Sequence, residues 1–392
     1  MVGSMGAPPR REVVPRGQGG TAPTRRGDRE RIGTTQVSAE RSPAPLGQDG
    51  FEEFLSTVAD HGEHGEALAS ALRALGRSVS SIAAMLRTGP DPEATVAPQR
   101  SDAQDRTRIR SQADETAHEL VMGALREAGG VASVVSENRR DVAVLAPDGS
   151  LAVAVDPLDG STNVELGLSG GTIFGIYPAH PEVVEASFLR RGRDLLAAGY
   201  AIYGPHTVLV VSVGAEVRAF RLDPRSGDVE SLHDRIEVPR ATARIAINVS
   251  NYRHWDEPVR TWVDHCFQGD EGPRGKDFRM HWIGSLVPEA HQILFAGGVY
   301  LYPRDARPGY ENGRVRYLYE AAPIAYLMER AGGGATDGVN AILDRTPQHL
   351  HQRTPFIFGS SEKVEGIVRY HTDPDMVQET SPLFGRRGLF RT

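Results

Sequence analysis

Two periods of apolar residues run along the chain. From Glu66, the residues Leu68, Leu72, Leu75, Val79, Ile82 and Leu86 recur at spacings of three and four, and Gly89-Pro90 ends the pattern. This predicts an amphipathic helix with one buried face. A second helix is predicted over about 113–128, with Leu120, Val121, Ala124 and Leu125 inward and Gly129-Gly130 as its stop. Short apolar runs then take over. Val131 to Val135 reads as a strand delivering Ser136-Glu137, and 142–145 with 150–155 read as a hairpin through Pro147-Asp148-Gly149. Strands follow over about 172–177, 199–203, 207–213, 216–222 and 245–251. A helix covers 286–296, strands cover 299–303 and 313–320, a helix ends near Ala331, and a closing strand at 354–358 precedes a last helix at 362–370. Helices and strands so mixed predict an α/β protein.

Outside this pattern the chain is polar. Residues 1–50 are rich in Pro, Gly and Arg with hardly an aliphatic cluster, a composition that reads as a disordered tail. A polar loop is expected over 91–111. The globular part divides into an N-terminal half at 51–240 and a C-terminal half at 241–374, with a flexible tail at 375–392.

The candidate chemistry centres on Asp156-Pro157-Leu158-Asp159-Gly160-Ser161-Thr162-Asn163, directly after the apolar run 151–155. Asp156 is then at the carboxyl end of a buried strand, where open α/β sheets keep their ligands. A bend at Pro157 lets Asp156, the Leu158 carbonyl and Asp159 converge as hard oxygen donors suited to Mg²⁺. Gly160 permits a backbone that other residues resist, and the amides of Gly160, Ser161 and Thr162 can form a nest for phosphate. The strand that delivers Ser136-Glu137 would bring that carboxylate to the same sheet end.

Composition narrows the class. The chain has 392 residues, 39% of them hydrophobic, enough for a real core. A net charge of -7 argues against nucleic acid as the main partner. No apolar run reaches the length of a membrane span, and no signal segment opens the chain, so a cytoplasmic protein is expected. The single cysteine, Cys266, excludes an intramolecular disulfide and a cysteine zinc site, and reads as a small buried apolar residue.

The octet resembles the signature of the metal-dependent phosphatases that include inositol monophosphatases and class I fructose-1,6-bisphosphatases. The continuation from Leu168 to Tyr177, Leu-Ser-Gly-Gly-Thr-Ile-Phe-Gly-Ile-Tyr, is similar to the fructose-bisphosphatase branch. Ser136-Glu137, Asn248, Tyr302, and Arg314 through Glu320 resemble further blocks of that family, in order. The resemblance implies a layered α/β/α sandwich of the sugar phosphatase type with two mixed sheets. It implies two or three Mg²⁺ ions, with Mn²⁺ as the alternative, held by Glu137, Asp156, the Leu158 carbonyl, Asp159 and Glu320. It also implies Asp114 as a proton acceptor for water, alongside Glu137 and Asp159. Substrate would meet Asp159, Gly160, Ser161, Thr162, Asn248, His281, Tyr302, Arg314 and Arg316. The implied reaction is hydrolysis of the 1-phosphate of fructose 1,6-bisphosphate by a homotetramer.

Several positions depart from the family pattern. Asn138 replaces an acid, Arg108 stands where an acidic residue is usual, and Gln112-Ala113 replaces a Lys-Leu pair. His281 occupies the place of an arginine that reaches the sugar 6-phosphate of a neighbouring subunit. Arginine offers a permanent, forked charge, whereas histidine is charged only when protonated. A sedoheptulose 1,7-bisphosphatase, another specialised sugar bisphosphatase, and a catalytically weak regulatory paralogue that binds sugar phosphates therefore stand as alternatives.

Overall fold

The computed structural model describes residues 50–88 and 112–378. The expected N-terminal tail up to residue 49, the polar loop with Arg108, and residues 379–392 lie outside the described residues. At the other end, Asp375–Gln378 form a helical turn where a flexible tail was expected.

The chain begins with three helices, α1 (Gly50–Ala59), α2 (Gly65–Thr88) and α3 (Gln112–Ala128). Sequence periodicity alone misses α1, which buries Phe51, Phe54, Leu55 and Val58 in ten residues. Next come β1 (Val131–Ser136), β2 (Ala143–Val144), β3 (Leu151–Asp159), the short α4 (Ser161–Glu165), β4 (Gly170–Pro178), β5 (Ala197–Tyr203), β6 (Val208–Val213), β7 (Glu216–Leu222) and β8 (Val229–His233). These strands form one eight-stranded sheet in the order β2-β1-β3-β4-β5-β6-β7-β8.

One expected pairing differs. β2 is not the hairpin partner of β3: it runs antiparallel to β1, and β1 lies between them. β2 offers only two residues, and both edges of the nine-residue β3 are already paired, with β1 on one side and β4 on the other. The expected consequence for the site still holds. β1 and β3 are parallel with Ser136 opposite Val155, so Glu137 and Asp156 leave the sheet at the same end.

The second half contains β9 (Arg244–Ile247), α5 (Glu257–Phe267), β10 (Arg279–His281), α6 (Leu286–Ala296), β11 (Val299–Tyr302), β12 (Val315–Arg316), α7 (Ala322–Arg330), β13 (Gly334–Thr336), β14 (Arg353–Thr354), β15 (Phe356–Gly359) and α8 (Ser361–Thr372). A five-stranded sheet takes the order β10-β9-β11-β15-β13, and β12 pairs with β14 as a separate ribbon. Both main sheets are mixed, as expected.

Three apolar clusters hold the layers together. One lies between α1–α3 and the first sheet, including Leu72, Val121, Val153 and Phe174. The second joins the two sheets through α6 and α7, and includes Tyr200, Ile293, Leu327 and Phe358. The third packs α5 and α8 on the outer face of the second sheet, around Trp262, Ile247 and Ile367, with Cys266 buried in it. The layers therefore alternate helix, sheet, helix, sheet, helix. No described helix is long and apolar enough to cross a membrane.

Candidate active site

β3 stays extended and buried through Asp159, but its register against β4 shifts between Asp156 and Asp159. The chain bends there because Pro157 cannot donate to the ladder. Two local bonds fix the bend: Thr172 Oγ1 donates to the Pro157 carbonyl at 2.8 Å, and the Leu158 amide donates to Asp156 Oδ1 at 3.2 Å. Gly160 follows with φ 72°, and a Cβ there would stand 2.3 Å from Ser285 Oγ. A side chain at 160 would be strained by its backbone and displaced by its neighbour. α4 starts at once, leaving the first-turn amides of Ser161 and Thr162 without intrahelical acceptors.

Asp159 is anchored from the other half of the chain. Its Oδ2 accepts from Ser285 Oγ at 2.7 Å and from the Val287 amide at 2.8 Å, which places the carboxylate on the N-terminus of α6. Glu320 reaches the same point from a π-helical turn, Tyr317–Ala321, that precedes α7. One oxygen of Glu320 accepts from the Arg316 amide. The ligand oxygens of Asp156, Asp159 and Glu320 lie within 4.8 Å of one another.

Glu137 completes the acidic group. Its amide donates to the Val155 carbonyl at 3.0 Å, and its side chain hydrogen-bonds Asp156. Burial drives the Asp156 carboxyl well above the usual range, and the charges of Glu137, Asp159 and Glu320 add to this. Burial also pushes Glu320 up to about 8, aided by Glu137 and Asp159. Asp159 is raised by burial, against the opposing bonds from Val287 and Ser285. Arg316 is the nearby counter-charge, with Nε 3.8 Å from Glu137 Oε1. Four carboxyls against Arg316 and the more distant Arg353 leave negative charge uncompensated, and a hard divalent cation with oxygen ligands satisfies that donor set.

The remaining expected residues divide into two groups. Asp114 lies buried in the first turn of α3, and its carbonyl accepts from Asn138 Nδ2 at 3.3 Å, which ties the start of α3 to the residue after Glu137. Asn138, the departure from an acid, thus has a structural partner. Asn248 caps a 3₁₀ turn by accepting from the Ser250 amide, and it lines a small crevice with Tyr302. Arg314 hydrogen-bonds Tyr310 Oη and stacks 4.5 Å from that ring. Tyr302 stands in an aromatic row with Trp282 and Tyr300.

His281 points to a different partner from the one its family position implies. Its Nε2 is 3.0 Å from Glu289 Oε2 on α6, and the Glu289 side chain is fully buried. The other Glu289 oxygen accepts from the Ile283 amide at 2.5 Å. Within one chain, His281 therefore lies in ion-pair range of α6, although neither its Nε2 nor Glu289 Oε2 has a hydrogen-bond partner.

Two contributors were not visible in sequence. Ser285 can be read as a helix N-cap, but nothing local shows that its hydroxyl serves Asp159. Arg353 faces Arg316 across the β12–β14 ribbon, and burial together with Arg316 and Arg314 lowers its pKa. A cleft of about 720 Å³ opens beside this ribbon and is lined by Pro303, Gly313, Arg345 and Arg353, but by none of the four carboxylates.

Residues 99–234 match the family model "Fructose-1-6-bisphosphatase, N-terminal domain" and residues 238–372 match "Fructose-1-6-bisphosphatase, C-terminal domain". The chain is 54% identical over 269 residues to a class 1 fructose-1,6-bisphosphatase of Cereibacter sphaeroides (strain ATCC 17025 / ATH 2.4.3), covering 69% of this chain and 80% of that protein. It is 48% identical over 324 residues to the Paracoccus denitrificans protein of that name, covering 83% and 96%. The structure superposes on Leishmania major fructose-1,6-bisphosphatase in holo form with a TM-score of 0.72 at 28% identity, covering 82% of this chain and 98% of that one. The two family models together span both sheets and all four carboxylates, and the chain belongs to the class 1 fructose-1,6-bisphosphatase family.

Proposed function

We infer that this chain is a phosphoric monoester hydrolase that converts D-fructose 1,6-bisphosphate to D-fructose 6-phosphate and phosphate. The observation that carries the reading is the meeting of Asp156, Asp159 and Glu320 within 4.8 Å at the end of β3, in a chain about half identical to proteins bearing that name. Glu137, Asp156, the Leu158 carbonyl, Asp159 and Glu320 would hold two or three Mg²⁺ ions, with Mn²⁺ as the alternative. A divalent cation in such a site neutralises phosphoryl charge and acidifies water.

The chain's own groups supply the rest. The Gly160–Thr162 segment orients the 1-phosphate by its amides and hydroxyls. Glu137, beside Arg316, accepts a proton from the attacking water, with Asp114 behind it. Arg314, Arg316, Tyr302 and Asn248 orient the sugar and its distal phosphate, for which the arginine forks are suited. His281 would add to this only if it left Glu289. Assembly as a homotetramer and a cytoplasmic location belong to the same reading, supported by family membership alone.

The test is steady-state hydrolysis of fructose 1,6-bisphosphate, sedoheptulose 1,7-bisphosphate and inositol monophosphate side by side. The six-carbon bisphosphate should have the highest kcat/KM. A preference for the seven-carbon substrate would reassign the distal pocket, and turnover of none would favour the regulatory paralogue.

A further inference from the structure

Away from the acidic turn, three basic side chains converge on the outer face of the second sheet. Arg274 comes from the loop before β10, and its guanidinium lies 5.0 Å from the Trp262 ring on α5 and 5.5 Å from the Tyr370 ring on α8. Its Nε and Nη2 are buried without a hydrogen-bond partner. Lys363, in the first turn of α8, is only 4% exposed, and its ammonium lies 4.8 Å from the Phe278 ring. Lys276 approaches the same ring at 5.9 Å.

The arrangement is short of negative charge. Among the described residues, none of the three cations forms an ion pair. Lys363 is pushed down to about 8 by burial, by the charge of Lys276, by a hydrogen bond with Lys276 and by Arg274. The charges of Lys276 and Arg274 both act on Lys363, and like charges so placed repel one another unless something anionic lies between them. Ring faces offset part of the cost, but they accept no hydrogen bond from Arg274 Nε or Nη2. A carboxylate from the chain would be the ordinary solution, and among the described residues none is in ion-pair range. The groups instead offer an arginine fork and two ammoniums over an aromatic floor, a donor set matched to a tetrahedral dianion.

We propose that Arg274, Lys276 and Lys363 form a second binding site for a phosphoryl dianion, the chemistry shared by inorganic phosphate and small phosphomonoesters. The site is separate from the acidic turn but linked to it by continuous chain. Residues 274–278 run into β10, and the segment after β10 carries Ser285 and Val287, which hold Asp159.

The test is thermal unfolding of the full chain in EDTA, titrated with inorganic phosphate and, separately, with glycerol phosphate. It reads binding by metal-free protein and so does not depend on turnover. A ligand bound only by the folded state raises the midpoint, with a stabilisation that grows as the logarithm of its concentration relative to its Kd. Wild type and Arg314→Gln should respond alike, since Arg314 belongs to the reaction site. Lys276→Gln and Lys363→Gln should need at least about tenfold more ligand for the same shift. Should Lys363→Gln fail to fold, the less buried Lys276→Gln decides. A response to one ligand and not the other identifies the source and supports the site. No response in wild type, or loss of response only in Arg314→Gln, overturns it. So does a Lys276→Gln variant that loses oligomer mass yet keeps its phosphate affinity, because the cluster would then serve a contact between copies.

Discussion

Ser285 Oγ donates to Asp159 Oδ2 at 2.7 Å across 126 residues of sequence. This bond, with the Val287 amide, fastens a metal-type carboxylate of the first sheet to the start of α6 in the second half. Outer partners of ligating carboxylates typically change metal affinity by about 10–100-fold. Ser285→Ala should therefore raise the metal concentration needed for half-maximal activity by that factor, with a smaller effect on kcat at saturating metal. Gly160→Ala should produce a similar loss by pushing on the same hydroxyl. Unchanged metal dependence in both variants would show that Asp159 is held by other means.

The acidic group makes a prediction about stability. Glu320 has a folded pKa pushed from 4.5 up to about 8, and Asp156 is raised in the same direction. Between those values the folded chain binds more protons than the unfolded chain, so the slope of unfolding free energy with pH is negative. The stabilisation is fully present below the unfolded pKa and lost as pH rises through the folded one. Metal-free protein should melt at progressively lower temperature as pH rises from about 5 to about 9, and saturating Mg²⁺ should flatten the trend. A metal-free midpoint that rises over this window would contradict the burial of these carboxyls.

His281 and Glu289 make a separable pair. Removing His281 leaves a fully buried carboxylate with the Ile283 amide as its remaining partner, at a cost of about 1–3 kcal/mol. In a double-mutant cycle on urea unfolding, His281→Ala and Glu289→Gln should show a coupling of about 0.5–3 kcal/mol. KM for fructose 1,6-bisphosphate should stay near the wild-type value in His281→Ala. Additive stabilities with a raised KM would instead place His281 on the substrate, as its family position implies.

Arg353 is predicted to contribute to the distal pocket. It faces Arg316 on the β12–β14 ribbon, beside Arg314. Loss of one charge-assisted contact should raise KM about tenfold in Arg353→Met, with kcat little changed. Arg316→Met should lower kcat as well, because Arg316 is the counter-charge of Glu137. Equal losses of kcat in the two variants would remove this division of roles.

What was legible in the sequence follows from what is local. The turn from Asp156 to Asn163 could be read because an apolar run, a proline and a glycine define strand end, bend and helix start within a dozen residues. The helices α2 and α6 were equally plain, each with an apolar stripe and a glycine stop. The pairing of β2 was not, since two residues carry no register and both edges of β3 are taken by β1 and β4. Arg353 and the Ser285 bond were invisible for a related reason. Their roles exist only once β14 lies against β12 and α6 abuts the end of β3. His281 shows what position matching leaves out: the family place was clear, but the approach of Glu289 on the next helix appears only in the folded chain.

The proposed function assigns metal-dependent removal of the 1-phosphate to the carboxylates at the end of β3. ³¹P NMR of fructose 1,6-bisphosphate turnover, with and without EDTA, for wild type and Asp159→Asn, tests it most directly. Wild type with Mg²⁺ should yield fructose 6-phosphate and inorganic phosphate. EDTA should abolish the reaction, and Asp159→Asn should slow it at least about a hundredfold, a loss typical for one group stabilising a charged transition state. Fructose 1-phosphate as product, or undiminished turnover by Asp159→Asn in EDTA, would contradict the account.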